Sequence, residues 1–124
     1  MIKLKILIVV ITLLLSNCKT NKMEQSKSEE TNPVEEIAWL KEMIVGFEKD
    51  TYHKQIIEQY TYKEKEVYMV HTCYQCPDAI TYVYDKEKNV ICESGGFVGK
   101  DTCSDFEEKA TDKKILYNNI ENKK

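Results

Sequence analysis

The stretch CYQCPDAITYVYDKEKNVICESGGFVGKDTCSDF, from Cys73 to Phe106, decides the fold. It holds four of the five cysteines and three of the four glycines of the chain. Ala79 to Asp85 and Asn89 to Glu93 are rich in β-branched and aromatic residues and flank a short charged turn, which predicts a β-hairpin. The glycine-rich residues that follow end at Cys103, so we expect an irregular loop that a disulfide fastens to the sheet.

A second hairpin is predicted upstream of this stretch. Gln55 to Tyr62 and Glu66 to Thr72 have strand composition and are separated by Lys63-Glu64-Lys65. A three-residue turn places Tyr60 opposite Tyr68, on the same side of the sheet. We therefore expect both tyrosines to lie on one face.

A helix is predicted before the first hairpin. Asn32 is a favourable N-cap, Pro33 suits the first helical position, and apolar residues recur at helical spacing up to Phe47. The predicted fold class is α+β: one N-terminal helix packed on a four-stranded antiparallel meander that is held by disulfides.

The N-terminal residues predict export and lipidation. Lys3 and Lys5 precede an apolar run from Ile6 to Leu15, which is too short to cross a membrane, since a span takes about 20 residues. The run is followed by Ser16-Asn17-Cys18, which is typical of a lipobox. We interpret residues 1–17 as a lipoprotein signal peptide and Cys18 as the lipidation site. The protein is then expected in the cell envelope, at the outer membrane, with the membrane as a partner through this anchor.

The mature chain divides into three parts by composition. Residues 18–32 contain the lipidated cysteine and a polar, flexible tether. Residues 33–117 form the single α+β domain, and residues 118–124 form a frayed tail.

The charge of the chain argues against nucleic acid as a partner. The formal net charge is −3, and it becomes about −5 once the two lysines of the signal peptide are removed. The chain contains no arginine. An acidic chain without guanidinium groups is poorly suited to bind nucleic acid or phosphate.

The four remaining cysteines predict a disulfide framework, because their number is even and an exported chain is oxidised. We favour Cys73 and Cys76 each pairing with one of Cys92 and Cys103, and the sequence leaves both such pairings open. The Cys73-x-x-Cys76 motif also allows a redox pair, although Pro77 follows it where a redox motif would start a helix. The spacing of Cys92 and Cys103 does not match a zinc ribbon.

No catalytic residue, metal site or cofactor is predicted. His53 and His71 are the only histidines, and neither belongs to a recognisable catalytic motif. We expect His71 at the surface or in a loop. The acidic residues near Cys103 lack EF-hand spacing, and the glycines of residues 95–99 are interpreted as a device for tight turns around a disulfide.

Four tyrosines are candidates for a binding surface. If one sheet face stays open, Tyr60, Tyr68, Tyr82 and Tyr84 form an exposed aromatic patch of the kind that marks binding sites. The alternative is that these tyrosines pack under the helix with their hydroxyl groups at the rim.

The chain resembles a family of small lipoproteins from Bacteroidota whose cysteine-containing domain has no assigned function. The resemblance rests on Tyr60-Thr61-Tyr62, Val67-Tyr68, Cys76-Pro77-Asp78, Tyr84-Asp85, Cys92, the glycine-rich residues 95–99 and Cys103-Ser104-Asp105-Phe106. The family has two adjacent cysteines where Tyr74 and Gln75 here separate Cys73 from Cys76. It has glycines in both hairpin turns, where this chain has Glu64 and Lys88 or Asn89. The resemblance implies export and a cysteine-stabilised domain, and no activity.

The sequence therefore favours a non-enzymatic, lipid-anchored module that binds another protein or an envelope component. A cystatin-like peptidase inhibitor is an alternative, because that fold also places a helix on an antiparallel sheet. A thiol–disulfide redox protein that uses Cys73 and Cys76 is the other alternative.

Overall fold

The computed structural model describes residues 32–121, which form three helices and six strands. The helices are α1 (Pro33–Glu36), α2 (Ala38–Lys49) and α3 (Phe106–Lys109). The strands are β1 (Ile56–Tyr62), β2 (Lys65–His71), β3 (Ile80–Tyr84), β4 (Val90–Gly95), β5 (Lys100–Asp101) and β6 (Thr111–Asn118). The predicted signal peptide, the lipidation site Cys18 and the tether up to residue 31 lie outside the described residues.

The strands form one antiparallel sheet in the order β5-β4-β3-β2-β1-β6. The predicted four-stranded meander is its centre, but the strand number was wrong, because β5 adds to β4 and β6 adds to β1. Strand β6 ends at Asn118, next to the predicted domain boundary at residue 117. Asn119 is buried, and its side-chain oxygen accepts a hydrogen bond of 2.6 Å from the backbone N–H of Gln55. The C-terminal segment thus closes the sheet edge beside β1.

The predicted helix is present but interrupted. Asn32 caps α1, its side chain accepting a hydrogen bond from the Val34 N–H. At Ile37 the backbone becomes extended (φ −99°, ψ 101°), and α2 restarts and runs through Gly46 to Lys49. The fully buried Leu40 of α2 packs on the sheet.

We call the sheet surface under α2 the helix face. Its core consists of Leu40 on Ile57, Tyr68 and Val70, with Trp39 edge-on to the Tyr68 ring. Side chains alternate along each strand, so the intervening residues point to the opposite surface.

We call that opposite surface the loop face, because the segment between β4 and β6 covers it. Phe106 of α3 packs there on Tyr62, Val67 and Val83. Cys92 of β4 belongs to the same core and holds the covering segment in place through a disulfide to Cys103.

The turn between β1 and β2 corrects the predicted register. Lys63 and Glu64 both have positive φ (49° and 63°), so the turn has two residues rather than three. Tyr60 therefore pairs with Val67, and Tyr68 pairs with Gln59. A shift of one residue moves a side chain to the other face. Tyr60 and Tyr68 thus lie on opposite faces.

The predicted disulfide pairing was also wrong. Cys73 is bonded to Cys76, and Cys92 is bonded to Cys103. The β4–β5 hairpin brings the Cα atoms of Cys92 and Cys103 to 5.5 Å, within the range that a disulfide spans. Cys73 and Cys76 close a short turn of the β2–β3 connection instead.

Candidate functional site

Residues 95–99, which we call the apolar loop, expose two large apolar side chains. The relative exposure of Phe97 is 93% and that of Val98 is 86%. The flanking Gly95, Gly96 and Gly99 all have positive φ, a conformation that glycine adopts without steric cost. The glycines therefore build a tight turn that holds Phe97 and Val98 in solvent.

The base of the apolar loop is fixed by backbone contacts. The Gly96 N–H donates a hydrogen bond of 2.9 Å to the Ala79 carbonyl. A Cβ atom on Gly95 would lie 2.6 Å from that same oxygen, so only glycine fits there without displacing the backbone. Beyond the loop, the Thr102 N–H donates to the Glu93 carbonyl at 3.0 Å. The apolar side chains are thus presented by a preformed turn.

The apolar loop lies at one end of the sheet. Ile56 at the start of β1 pairs with His71 at the end of β2, and His71 pairs with Thr81. Thr81 in turn pairs with Ser94, directly before the apolar loop. Tyr52, which is 88% exposed, precedes β1 at this same end. One end of the domain therefore exposes two aromatic rings and a valine.

A row of polar side chains crosses the uncovered part of the loop face. The buried carboxylate of Glu58 accepts hydrogen bonds from Lys113 Nζ at 2.7 Å and from the Tyr60 hydroxyl at 3.1 Å. His71 Nε2 lies 3.8 Å from the same carboxylate, and its Nδ1 lies 3.0 Å from the Thr81 hydroxyl. His71 is thus a half-buried strand residue and not the surface or loop histidine expected from the sequence.

The electrostatics of this row are those of an internal ion pair. Burial is the main cause that lowers the pKa of His71, and the nearby Glu58 carboxylate opposes that shift. Burial likewise raises the pKa of Tyr60. Lys113 supplies the positive charge that pairs with the Glu58 carboxylate. We interpret the row as a satisfied structural network.

The four predicted surface tyrosines do not form one patch. Tyr68 is fully buried under α2, and this burial raises the pKa of its hydroxyl to about 12. Tyr84 packs beside Trp39 on the same face, with ring centroids 5.5 Å apart, and the half-buried Tyr82 neighbours it. Tyr60 lies on the loop face against Phe106. The helix thus covers most of the predicted aromatic surface.

The predicted disulfide cysteines fall into two different environments. Cys92 is buried in the core of the loop face, whereas Cys76 is exposed in the β2–β3 connection. The Ala79 N–H donates to the Cys76 carbonyl, and Ala79 in turn holds the base of the apolar loop. The bond between Cys73 and Cys76 therefore lies in the connection whose Ala79 also fixes the base of the apolar loop.

A family model for a domain of unknown function, DUF6970, matches residues 45–119. This match includes all six strands and most of the described domain. The chain belongs to this family. No curated protein and no solved structure matches the chain significantly.

The described part of this DUF6970 chain contains no group of three or more histidine, cysteine, aspartate or glutamate side chains arranged to hold a metal ion. Within residues 32–121, no helix is both long enough and apolar enough to span a membrane. The feature of the described DUF6970 domain that we consider for function is the apolar loop with its exposed Phe97 and Val98.

The sequence interpretation missed the apolar loop as a candidate site. It explained the glycines of residues 95–99 correctly as a turn device, but it gave Phe97 and Val98 no role. The available signal was the position of two bulky apolar residues between glycines, where a solvent-exposed turn favours polar side chains. Tyr52 was missed because a single tyrosine in a polar segment carries no pattern.

Proposed function

We propose that this protein is a lipid-anchored, non-enzymatic binding module of the cell envelope. Acyl chains on Cys18 hold it at the membrane, and the apolar loop contacts a partner protein. The observation that carries the proposal is the exposure of Phe97 and Val98, at 93% and 86%, on a preformed turn.

The geometry of the apolar loop suits binding. A few side chains carry most of the binding energy at protein interfaces, and aromatic rings are prominent among them. A turn that glycines and backbone hydrogen bonds already fix loses little conformational entropy when it binds. Tyr52 adds a second exposed aromatic ring at the same end of the sheet.

The position of the apolar loop also fits a membrane-anchored module. The indole N–H of Trp39 donates a hydrogen bond of 2.8 Å to the Lys86 carbonyl in the β3–β4 turn. The start of α2 therefore lies at the end of the sheet opposite the apolar loop. The described domain begins at residue 32, close in sequence to this start, so its N-terminal connection does not lie at the apolar loop.

The test compares two full-chain variants for capture of partners from an envelope extract of the producing cell. Phe97→Ser/Val98→Ser removes both apolar side chains of the loop. Val45→Ser is the control, because Val45 is an exposed apolar residue on α2 and does not belong to the apolar loop. Both variants should keep the unfolding free energy within about 0.5 kcal/mol of the parent, as surface substitutions do.

We expect the loop variant to lose the captured protein and the Val45→Ser control to keep it. Equal capture by both variants would overturn the proposed binding surface. Recovery of a peptidase as the captured protein would instead favour the inhibitor function. The anchor is tested separately, because Cys18→Ser should move the protein from the membrane fraction to the soluble fraction.

Thiol–disulfide exchange is a second candidate function, and the exposure of Cys76 in its bond to Cys73 favours it. The residues that follow Cys73 form turns, and the next regular element is β3 from Ile80. No helix N-terminus is therefore placed to lower the pKa of a Cys73 thiol in this part of the domain. If mild reduction with a dithiol frees no thiol at Cys73 and Cys76, the exchange function fails.

A further inference from the structure

A small cavity of about 230 Å³ opens on the loop face beside the apolar loop, and we call it the acidic pocket. Met69, Val83 and Phe106 provide apolar lining, and the disulfide between Cys92 and Cys103 forms one wall. Asp101, Ser104 and Glu107 also line it. Glu93 lines the cavity as well, so the cavity combines an apolar floor with three carboxylates, of which Glu93 is paired with Lys100.

The other two carboxylates, Asp101 and Glu107, have no cationic partner in the described domain. Within residues 32–121, neither Asp101 nor Glu107 forms an ion pair with a lysine. The nearby Lys100 pairs with Glu93, and Lys109 pairs with Asp105 at 3.0 Å. One oxygen of Asp101 accepts a hydrogen bond of 3.1 Å from the backbone N–H of Cys103, which orients the carboxylate. The pocket therefore carries uncompensated negative charge.

The size and lining of the acidic pocket select the kind of occupant. Cavities that hold drug-sized ligands measure about 300–1,000 Å³, so this one suits a single side chain. A lysine or arginine side chain has an apolar stem and a cationic head. The stem would cover the floor at Val83 and Phe106, and the head would reach Asp101 or Glu107.

The acidic pocket adjoins the apolar loop. Ser94 pairs with Asp101 across β4 and β5; Ser94 directly precedes the loop, and Asp101 follows it after Lys100. A partner seated on Phe97 and Val98 would therefore reach the pocket without crossing the domain. We propose that the acidic pocket receives a lysine or arginine side chain of the protein that the apolar loop contacts, an inference that rests on the proposed function.

The test uses the full chain in detergent micelles and N-acetyl-arginine amide as the probe. The neutral isostere N-acetyl-citrulline amide controls for contacts that do not need the charge. We expect the NMR signals of the Met69 methyl group and the Phe106 ring to shift saturably, with a dissociation constant in the millimolar range (about 1–20 mM). The citrulline compound should bind at least about fivefold more weakly.

Asp101→Asn/Glu107→Gln should weaken binding of the arginine probe by about fivefold or more. The asparagine side chain keeps the oxygen that accepts from the Cys103 N–H, so the local fold is preserved. Asp78→Asn/Glu108→Gln is the matched control, because it removes two exposed carboxylates that do not line the pocket. The inference is overturned if the probe causes no shift at about 20 mM, or if both double variants bind it equally.

The two proposals can fail separately. Phe97→Ser/Val98→Ser leaves the acidic pocket intact and should bind the arginine probe like the parent chain. If that variant still captures the partner, the apolar loop is not the binding surface. If it loses the partner while the parent binds no probe, only the pocket inference fails.

Discussion

The helix face and the loop face of the sheet bury aromatic and aliphatic side chains by different means. On the helix face, one continuous element covers the core, with Leu40 of α2 in contact with Tyr68 and Val70. On the loop face, the cover is a short segment whose Phe106 is held over Val83 by the disulfide between β4 and the segment. One face of the sheet is thus covered by the apolar side of an amphipathic helix, and the other by a short segment that a disulfide fastens to the sheet.

This difference explains where the exposed candidate sites lie. A 12-residue helix covers a broad, uniform area, and its face is filled by apolar residues. On the loop face, the Glu58 network lies beside β6, and the acidic pocket opens at the short covering segment, whose Phe106 and Glu107 line it. The covering segment of the loop face also begins with the apolar loop. The helix face is covered by a regular helix and has no comparable loop among the described residues.

Removal of the two disulfides tests the difference most strongly. Cys92→Ser/Cys103→Ser should lower the free energy of unfolding by about 3 kcal/mol, because the bond closes a loop of 11 residues and anchors Phe106. Cys73→Ser/Cys76→Ser should lower it by about 2 kcal/mol or less, because the bond closes a turn of three residues outside the core. Urea unfolding at neutral pH without reductant measures both values.

A larger loss from the Cys73 and Cys76 variant would contradict this account of the loop face. In that case the β2–β3 connection, and not the cover at Phe106, would limit the stability of the domain. The helix face provides the reference, because neither cysteine pair contacts Leu40 or Tyr68.

Two buried tyrosines, one on each face, should differ in how their hydroxyl groups affect the free energy of unfolding, by less than the disulfides do. Among the described residues, no group accepts or donates a hydrogen bond at the Tyr68 hydroxyl on the helix face. The Tyr62 hydroxyl on the loop face donates a hydrogen bond of 2.6 Å to Asp105. Tyr68→Phe should therefore raise the free energy of unfolding by about 1 kcal/mol, and Tyr62→Phe should lower it by about 1 kcal/mol.

Urea unfolding of the two single variants measures both changes. Each substitution removes one oxygen and leaves the ring in place, so each serves as the control for the other. A loss of stability in Tyr68→Phe would show that its hydroxyl is satisfied and that the helix face holds a hidden polar contact.

The helix face could be predicted from the sequence because its signals are local. The periodic apolar residues after Pro33 and the N-cap at Asn32 predicted a helix on a sheet, and the structure contains both. The four strands of the two central hairpins were also predicted within one or two residues of their observed bounds. Each of these elements depends on neighbours in the chain.

The loop face and the register of the first hairpin could not be predicted for a physical reason. Glu64 adopts a positive φ (63°) that composition suggests only for glycine or asparagine, so the turn was given one residue too many. β6 pairs with β1, although more than 50 residues separate Ile56, where β1 starts, from Thr111, where β6 starts. Strand pairing at this separation, like the choice of disulfide partners, depends on the assembled fold.

The smallest effect that separates the two faces is a pH dependence at His71. This side chain lies on the loop face near Glu58 and Lys113, whereas the helix face buries no histidine among the described residues. Burial holds the pKa of His71 below its usual value of 6.5, so the unfolded chain binds the proton more tightly. Stability is therefore full above the unfolded pKa and is lost as the pH falls from 7 towards the folded pKa.

Urea unfolding of the parent chain and of His71→Gln at several pH values between 5 and 7 measures this dependence. His53→Gln is the control for the loss of a histidine. The parent chain and the control should lose stability as the pH falls, at no more than about 1.4 kcal/mol per pH unit for a single proton. His71→Gln should lose less. Asp105, whose pKa is lowered to about 2 by hydrogen bonds from Tyr62 and Lys109, titrates at lower pH and does not obscure the window. If the unfolding free energy of His71→Gln changed with pH as steeply as that of the parent chain, burial would not hinder protonation of His71. The part of the loop face around Glu58 would then be hydrated like ordinary protein surface.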